Sequence, residues 1–132
     1  MDRMNKQELL ALLSTLKLDK KEFLILSSAA LVLRGIYPDA GDLDIAVTNK
    51  GFLELKKHYN LKFKDNGWFI IDDRIEGMRE ENMVNRKYKP DIALGYYVQN
   101  INEYYEYLCS SEREKDKARI PLVKKYISEK LR

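Results

Sequence analysis

Two aspartates, Asp42 and Asp44, flank a leucine at the head of the apolar run Leu43, Ile45, Ala46 and Val47, just past the turn-rich stretch Tyr37-Pro38-Asp39-Ala40-Gly41. The run bounded by that turn predicts a strand over 43–47. On a strand, residues two apart point to one side, so Asp42 and Asp44 project together while Leu43 and Ile45 enter a core. An unpaired ionised carboxylate costs several kcal/mol to bury, and two of them roughly 5 Å apart repel by about 3 kcal/mol at an effective dielectric near 20. The pair therefore asks for a cavity, a cation or both. A divalent cation reverses the repulsion, and Mg²⁺, hard and oxygen-seeking, suits such ligands. Taken alone, the pair also fits one exposed aspartate at a strand start plus one side-chain cap.

The chain has 132 residues, the size of one domain with one core. A hydrophobic content of 45% beside 34% charged residues is that of a soluble globular protein, and no apolar run approaches the roughly 20 residues that span a bilayer. The opening MDRMNKQELL carries acidic residues and a helix start instead of a leader, which makes a cytoplasmic address the expectation. With one cysteine, Cys109, and one histidine, His58, there is neither an internal disulfide nor a Cys/His zinc site. A net charge of +3 mildly favours anionic partners.

Along the chain, Leu9, Leu12, Leu13 and Leu16 recur at helical spacing behind an Asn5–Glu8 capping box. Phe23 to Leu26 predicts a strand, Ser27-Ser28 a turn, and the following small and apolar residues a short helix stopped by Gly35. After the 43–47 strand, Thr48 or Asn49 caps a helix bearing Phe52, Leu55, Lys56 and Tyr59. Leu61 and Phe63, the turn Asp65-Asn66-Gly67 and the run 68–71 read as a hairpin, followed by a strand over 74–78. Residues 79–91 read as a loop and 92–99 as a strand around Gly95; Asn100 with Glu103 caps a helix, and Pro121 opens a last one whose Val123, Tyr126 and Ile127 share a face.

The stretch SSAALVLRGIYPDAGDLDIAV, with strand, small-residue turn, helix and Asp-x-Asp strand in that order, resembles the nucleotidyltransferase fold of the polymerase-β type, and in particular small bacterial nucleotidyltransferase-like proteins that include toxin components of abortive-infection systems. The likeness continues through GYYVQNINEYYEYLCSSEREKDKARIPLVKKYI, with its Val98-Gln99, capped helix and Arg113-Glu114-Lys115-Asp116. It implies an α/β fold, a mixed sheet flanked by helices, and Mg²⁺-dependent transfer of a nucleotidyl group from a nucleoside triphosphate to an acceptor hydroxyl on tRNA, a protein or a small molecule. It further implies Asp42, Asp44 and a third carboxylate as catalytic and metal-binding residues, the third being Glu76 in preference to Asp72, Asp73 or Asp91. Ser27, Ser28, Arg113, Lys115 and Asp116 would bind the nucleotide, with Lys115 on phosphate and Asp116 anchoring the local charges. An antitoxin-like partner protein belongs to the same implication, and a membrane does not.

Several positions depart from the family pattern. Where the family has Gly-Gly or Gly-Ser, this chain has Ser27-Ser28, a mild change unless a positive φ is demanded. Where it has a lysine near the end of the preceding helix, this chain has Leu108, Cys109 and Ser110; losing such a cation costs roughly 3 kcal/mol of transition-state stabilisation. Arg119, standing where the family tends to be acidic, is the cation available to offset that loss. Two further readings follow: a catalytically impaired nucleotide- or partner-binding module, and a small basic RNA-binding domain with steep salt dependence. His58 reads as a surface residue. The REKD run has a plain alternative as a solvated helix face, and the tyrosines at 96, 97, 104, 105 and 107 read as packing or interface residues, with base stacking as the functional alternative.

Overall fold

The computed structural model describes residues 3–80 and 87–131. Helix α1 (Lys6–Thr15) starts at the capping box, with Asn5 accepting from the Glu8 amide and Glu8 accepting from the Asn5 amide. Strand β1 (Phe23–Ile25) runs into helix α2 (Ser27–Arg34), which Gly35 ends in the left-handed conformation at φ 82°. Strand β2 (Leu43–Val47) has the predicted bounds, and Thr48 caps helix α3 (Asn49–His58) by accepting from the Gly51 amide at 3.0 Å. The hairpin is β3 (Lys62–Phe63) and β4 (Phe69–Asp72), turning at Gly67 with φ 88°; β5 (Ile75–Arg79) follows.

Two expectations about the C-terminal part are corrected. The strand-like stretch around Gly95 is a tight hairpin of β6 (Asp91–Ala93) and β7 (Tyr96–Val98), because Leu94 and Gly95 both take positive φ, 52° and 85°, and reverse the chain. Pro121 does not open a helix. It lies inside helix α5 (Glu114–Lys130), which continues through it because Ile120 on one side and Val123, Tyr126 and Ile127 on the other pack into one cluster with helix α4 (Ile101–Ser110). Asn100 caps α4 as expected. Of the loop predicted over 79–91, residues 81–86 lie outside the described residues, Arg79 belongs to β5 and Asp91 to β6.

The protein is a mixed α/β structure whose seven described strands run in the order β3-β4-β5-β2-β1-β7-β6. The β2–β5 and β1–β7 pairs are parallel and the rest antiparallel. Leu43, Ile45 and Val47 of β2, with Phe23, Ile25, Phe69 and Ile75, face α1, α2 and α3 in the main core. The opposite sheet face carries a smaller cluster of Leu24, Leu26 and Ala46 under Trp68 and Met78. Leu31 of α2 packs instead into the α4–α5 cluster, so α2 sits between the two helical layers. Gly77 is a packing glycine, since a Cβ there would meet the Phe69 ring at 2.9 Å. No described helix is long and apolar enough to cross a membrane.

Candidate active site

The alternation of β2 places Asp44 on the face opposite Leu43 and Ile45, with Asp42 one residue before the strand. Both border one cavity of about 240 Å³, whose walls also include Ser27 and Ser28 of α2 and Arg113, Lys115, Asp116 and Arg119 of the C-terminal helices. The turn before Asp42 is pinned from two sides. The amides and carbonyls of Met4 and Ala40 exchange hydrogen bonds of 2.7 and 2.9 Å, and Arg74 donates to the Gly41 carbonyl at 3.0 Å. Arg3, ion-paired to Asp39, brings a further cation to the rim.

Glu76 sits in register with Asp44 on the neighbouring parallel strand. Partial burial first, then the charges of Glu76 and Asp42, push the Asp44 carboxyl up to about 6, with Lys64 and Lys115 pulling the other way. Burial and Glu76 thus weigh more on Asp44 than does Asp42, the neighbour the sequence pointed to. Glu76 itself is held by the Lys64 ammonium at 2.8 Å. Among the described residues, no three histidine, cysteine, aspartate or glutamate side chains gather closely enough to hold an ion by themselves. Asp42 and Asp44 are the two described carboxylates outside helix α5 that border the cavity, and Mg²⁺ is commonly bound by one or two carboxylates with water and substrate phosphates completing the shell. The competitors for a third carboxylate lie elsewhere. Asp72 and Asp73 are exposed at the β4–β5 turn, and Asp91, on the far edge strand, is ion-paired to Arg34 at 2.6 Å.

Helix α2 begins at the cavity with no side-chain cap, so its positive end is directed there. The Ser27 amide donates to Gln99 Oε1 at 3.2 Å, and Gln99 in turn donates to Glu103 at 2.9 Å. Ser27 has φ 50°, in the left-handed region that disfavours side chains. The expectation that serine is a mild choice at this turn is therefore corrected, because a positive φ is demanded.

The REKD segment is the first turn of α5 and its cap. It is not a uniformly solvated face: Asp116 is 2% exposed and accepts from Ser111 Oγ at 2.7 Å and Tyr107 Oη at 3.2 Å, with Arg113 Nε at 3.8 Å. Asp116 thereby ties α4 to α5 at the cavity wall. Lys115 borders the cavity and, one helical turn on, so does Arg119. Arg119 is buried, donates to Tyr104 Oη at 2.9 Å and lies over the Tyr37 ring. Leu108 is fully buried in the α4–α5 cluster and supplies no charge. Arg3, Gly41 and Tyr107 also line the cavity, and nothing in local sequence marks Arg3 for this, since the Met4–Ala40 pairing and the ion pair with Asp39 bring it there. His58 and Cys109 are exposed, away from these walls. The chain matches no protein-family model, no curated protein and no solved structure.

Proposed function

We propose that the chain is a nucleotidyltransferase that moves a nucleotidyl group from a nucleoside triphosphate to an acceptor hydroxyl with Mg²⁺. The observation that carries this reading is that a pair of crowded carboxylates and a wall of arginine and lysine side chains share one cavity at the start of a helix. Monovalent or neutral ligands answer only half of that charge pattern, whereas a metal-bound polyphosphate answers both.

On this reading Asp42 and Asp44 hold the ion, with Glu76 as the third carboxylate once Lys64 yields it. Bound Mg²⁺ neutralises phosphate charge and lowers the pKa of the attacking hydroxyl. The α2 amide end, Ser28, Arg113 and Lys115 receive phosphate oxygens, and Asp116 keeps α5 in place so that Lys115 reaches them. The acceptor oxygen bonds to the α-phosphorus, the bond from that phosphorus to the β-phosphate bridging oxygen breaks, pyrophosphate leaves, and the acceptor proton passes to water.

Incorporation from labelled triphosphates with Mg²⁺, with tRNA, protein and small alcohols offered in turn as acceptors, tests the reading. Asp44→Ala is expected to lower incorporation by about a hundredfold or more. Equal incorporation by the variant and the wild type rejects the site.

Two observations favour a second reading, a nucleotide-binding module without turnover: Leu108 is a core residue, and Lys64 occupies Glu76. In that case Mg-ATP at a hundred times its dissociation constant stabilises the fold by about 2.7 kcal/mol while no product accumulates. The cytoplasmic location and the antitoxin-like partner are part of the leading proposal, and co-purification of a partner from cell extract is their first check.

A further inference from the structure

The sheet face that carries Asp44 and Glu76 continues past them as an apolar floor. One pleat further along the same parallel pair, about 7 Å on, Ala46 stands opposite Met78. Leu24, Leu26 and Ala46 form a buried cluster there, against which the partly buried Trp68 and Met78 pack. Beside this floor lies a second cavity of about 350 Å³, whose walls include Leu26, Trp68, Met78, Gln99, Tyr104 and Tyr107. It shares Ser27 and Tyr107 with the charged cavity, so the two adjoin.

The chemistry of the two cavities is divided between them. Tyr107 Oη donates to Asp116 at 3.2 Å and Tyr104 Oη accepts from Arg119 at 2.9 Å, and both of those partners stand on the charged wall. The two tyrosines, whose rings stack with centroids 6.0 Å apart, line the second cavity. The Gln99 amide is engaged at both ends, by the Ser27 amide and by Glu103. The second cavity therefore presents mainly indole, phenol-ring and thioether surface, and its one charged group among the described residues is Glu80, a carboxylate that repels phosphate. Such a lining suits a flat apolar ring. A heteroaromatic ring joined to an anionic chain fills both cavities at once. We propose that the second cavity takes the base of the nucleotide, packed against Trp68, while the phosphates occupy the charged one. This inference rests on the phosphate reading of the neighbouring cavity but needs no turnover.

Trp68 is the only tryptophan in the chain, so its fluorescence, excited at the red edge where adenine and tyrosine do not absorb, reports on this cavity. Wild type is titrated in Mg²⁺ with ATP and, separately, with inorganic tripolyphosphate, and calorimetry supplies the affinities. ATP is expected to bind more tightly than tripolyphosphate and to change the Trp68 emission, whereas tripolyphosphate binds without changing it. Trp68→Leu, followed by calorimetry, is expected to lose about tenfold in ATP affinity, the scale of one base–aromatic stack, and to keep its tripolyphosphate affinity. Trp68→Phe, which keeps a ring, is expected to recover part of the loss. ATP that binds wild type without altering the emission, or that binds Trp68→Leu as tightly as wild type, overturns the base cavity and leaves the phosphate reading standing. If wild type ignores ATP and tripolyphosphate alike, both fall. An equal loss of both ligands in Trp68→Leu makes Trp68 a structural residue and overturns its part in holding the base. The wild-type fluorescence decides the matter even where Trp68→Leu fails to fold.

Discussion

The two ends of helix α2 are built on opposite rules. At its C-terminal end the buried charge is paired: Gly35 takes the left-handed cap, and Arg34, with a side chain only 4% exposed, donates to Asp91 at 2.6 Å, the Gln99 carbonyl at 2.7 Å and Tyr126 Oη at 3.3 Å. At its N-terminal end Ser27 is held at φ 50°, Glu76 and Asp42 crowd the half-buried Asp44, and Arg119 is buried without a carboxylate. Both arginines lie near a tyrosine ring and both keep a buried, unpartnered Nε, so the difference between them is the anion. One end of the helix is finished by the protein. The other carries strain and like charges of a kind that concentrates at functional sites, where a ligand completes the arrangement.

Substitutions at the two ends should therefore differ in their effect on stability. The largest effect is expected at the finished end, where Arg34→Met removes three hydrogen bonds and the partner of Asp91; a loss of about 3 kcal/mol in urea unfolding is predicted. Arg119→Gln, by contrast, breaks no ion pair and gives up the Tyr104 hydrogen bond and the Tyr37 ring contact, so a smaller loss of about 1 kcal/mol is expected. An equal loss at both positions breaks the comparison.

Next in size is Asp44, and here the sign follows from linkage. Burial and its two acidic neighbours raise its carboxyl from 3.8 to about 6, so the folded protein holds that proton more tightly than the unfolded chain does. Ionised Asp44 therefore lowers stability. The penalty is absent below 3.8, grows as pH rises to about 6 and is complete above it. At neutral pH it amounts to at most about 3 kcal/mol. Asp44→Asn is expected to raise the melting temperature at pH 7 and to leave it nearly unchanged at about pH 4. Added Mg²⁺ is expected to stabilise wild type at pH 7, far less near pH 4, and the variant at neither pH. A flat profile, or destabilisation by Asn at pH 7, removes the crowding argument.

The smallest effect is at Ser27. Ser27→Gly relieves a left-handed serine and is expected to gain about 1 kcal/mol on thermal unfolding, while the amide bond to Gln99 is kept. A loss shows that the hydroxyl, not the backbone, holds this turn.

Much of this arrangement is legible in the sequence because local chemistry decides it. The Asn5–Glu8 box, the Leu43–Val47 run and the Gly35 stop each fix an element within one or two turns of chain, and the carboxylate pair follows from the period of two. What the sequence conceals is set by distance. The Leu94-Gly95 reversal hides because leucine rarely adopts the left-handed region, and it is the β6–β7 pairing that holds it there. Pro121 signals a helix start, yet contacts of α5 with α4 carry the helix through it. The same holds for the site: Glu76 reads as a candidate, but the Lys64 pair that occupies it comes from a strand register invisible in local pattern. The burial of Asp116 and Arg119 within a charged run likewise depends on where α4 lies.

The central claim is that the acidic and basic walls of one cavity meet on a single metal-bound polyphosphate. A crystal structure of the wild type with Mg²⁺ and a non-hydrolysable nucleoside triphosphate tests it most directly. The account predicts an ion about 2.1 Å from carboxylate oxygens of Asp42 and Asp44 and a phosphate chain against the basic wall that carries Lys115. A triphosphate bound outside this cavity, or an ion that touches neither aspartate, contradicts it.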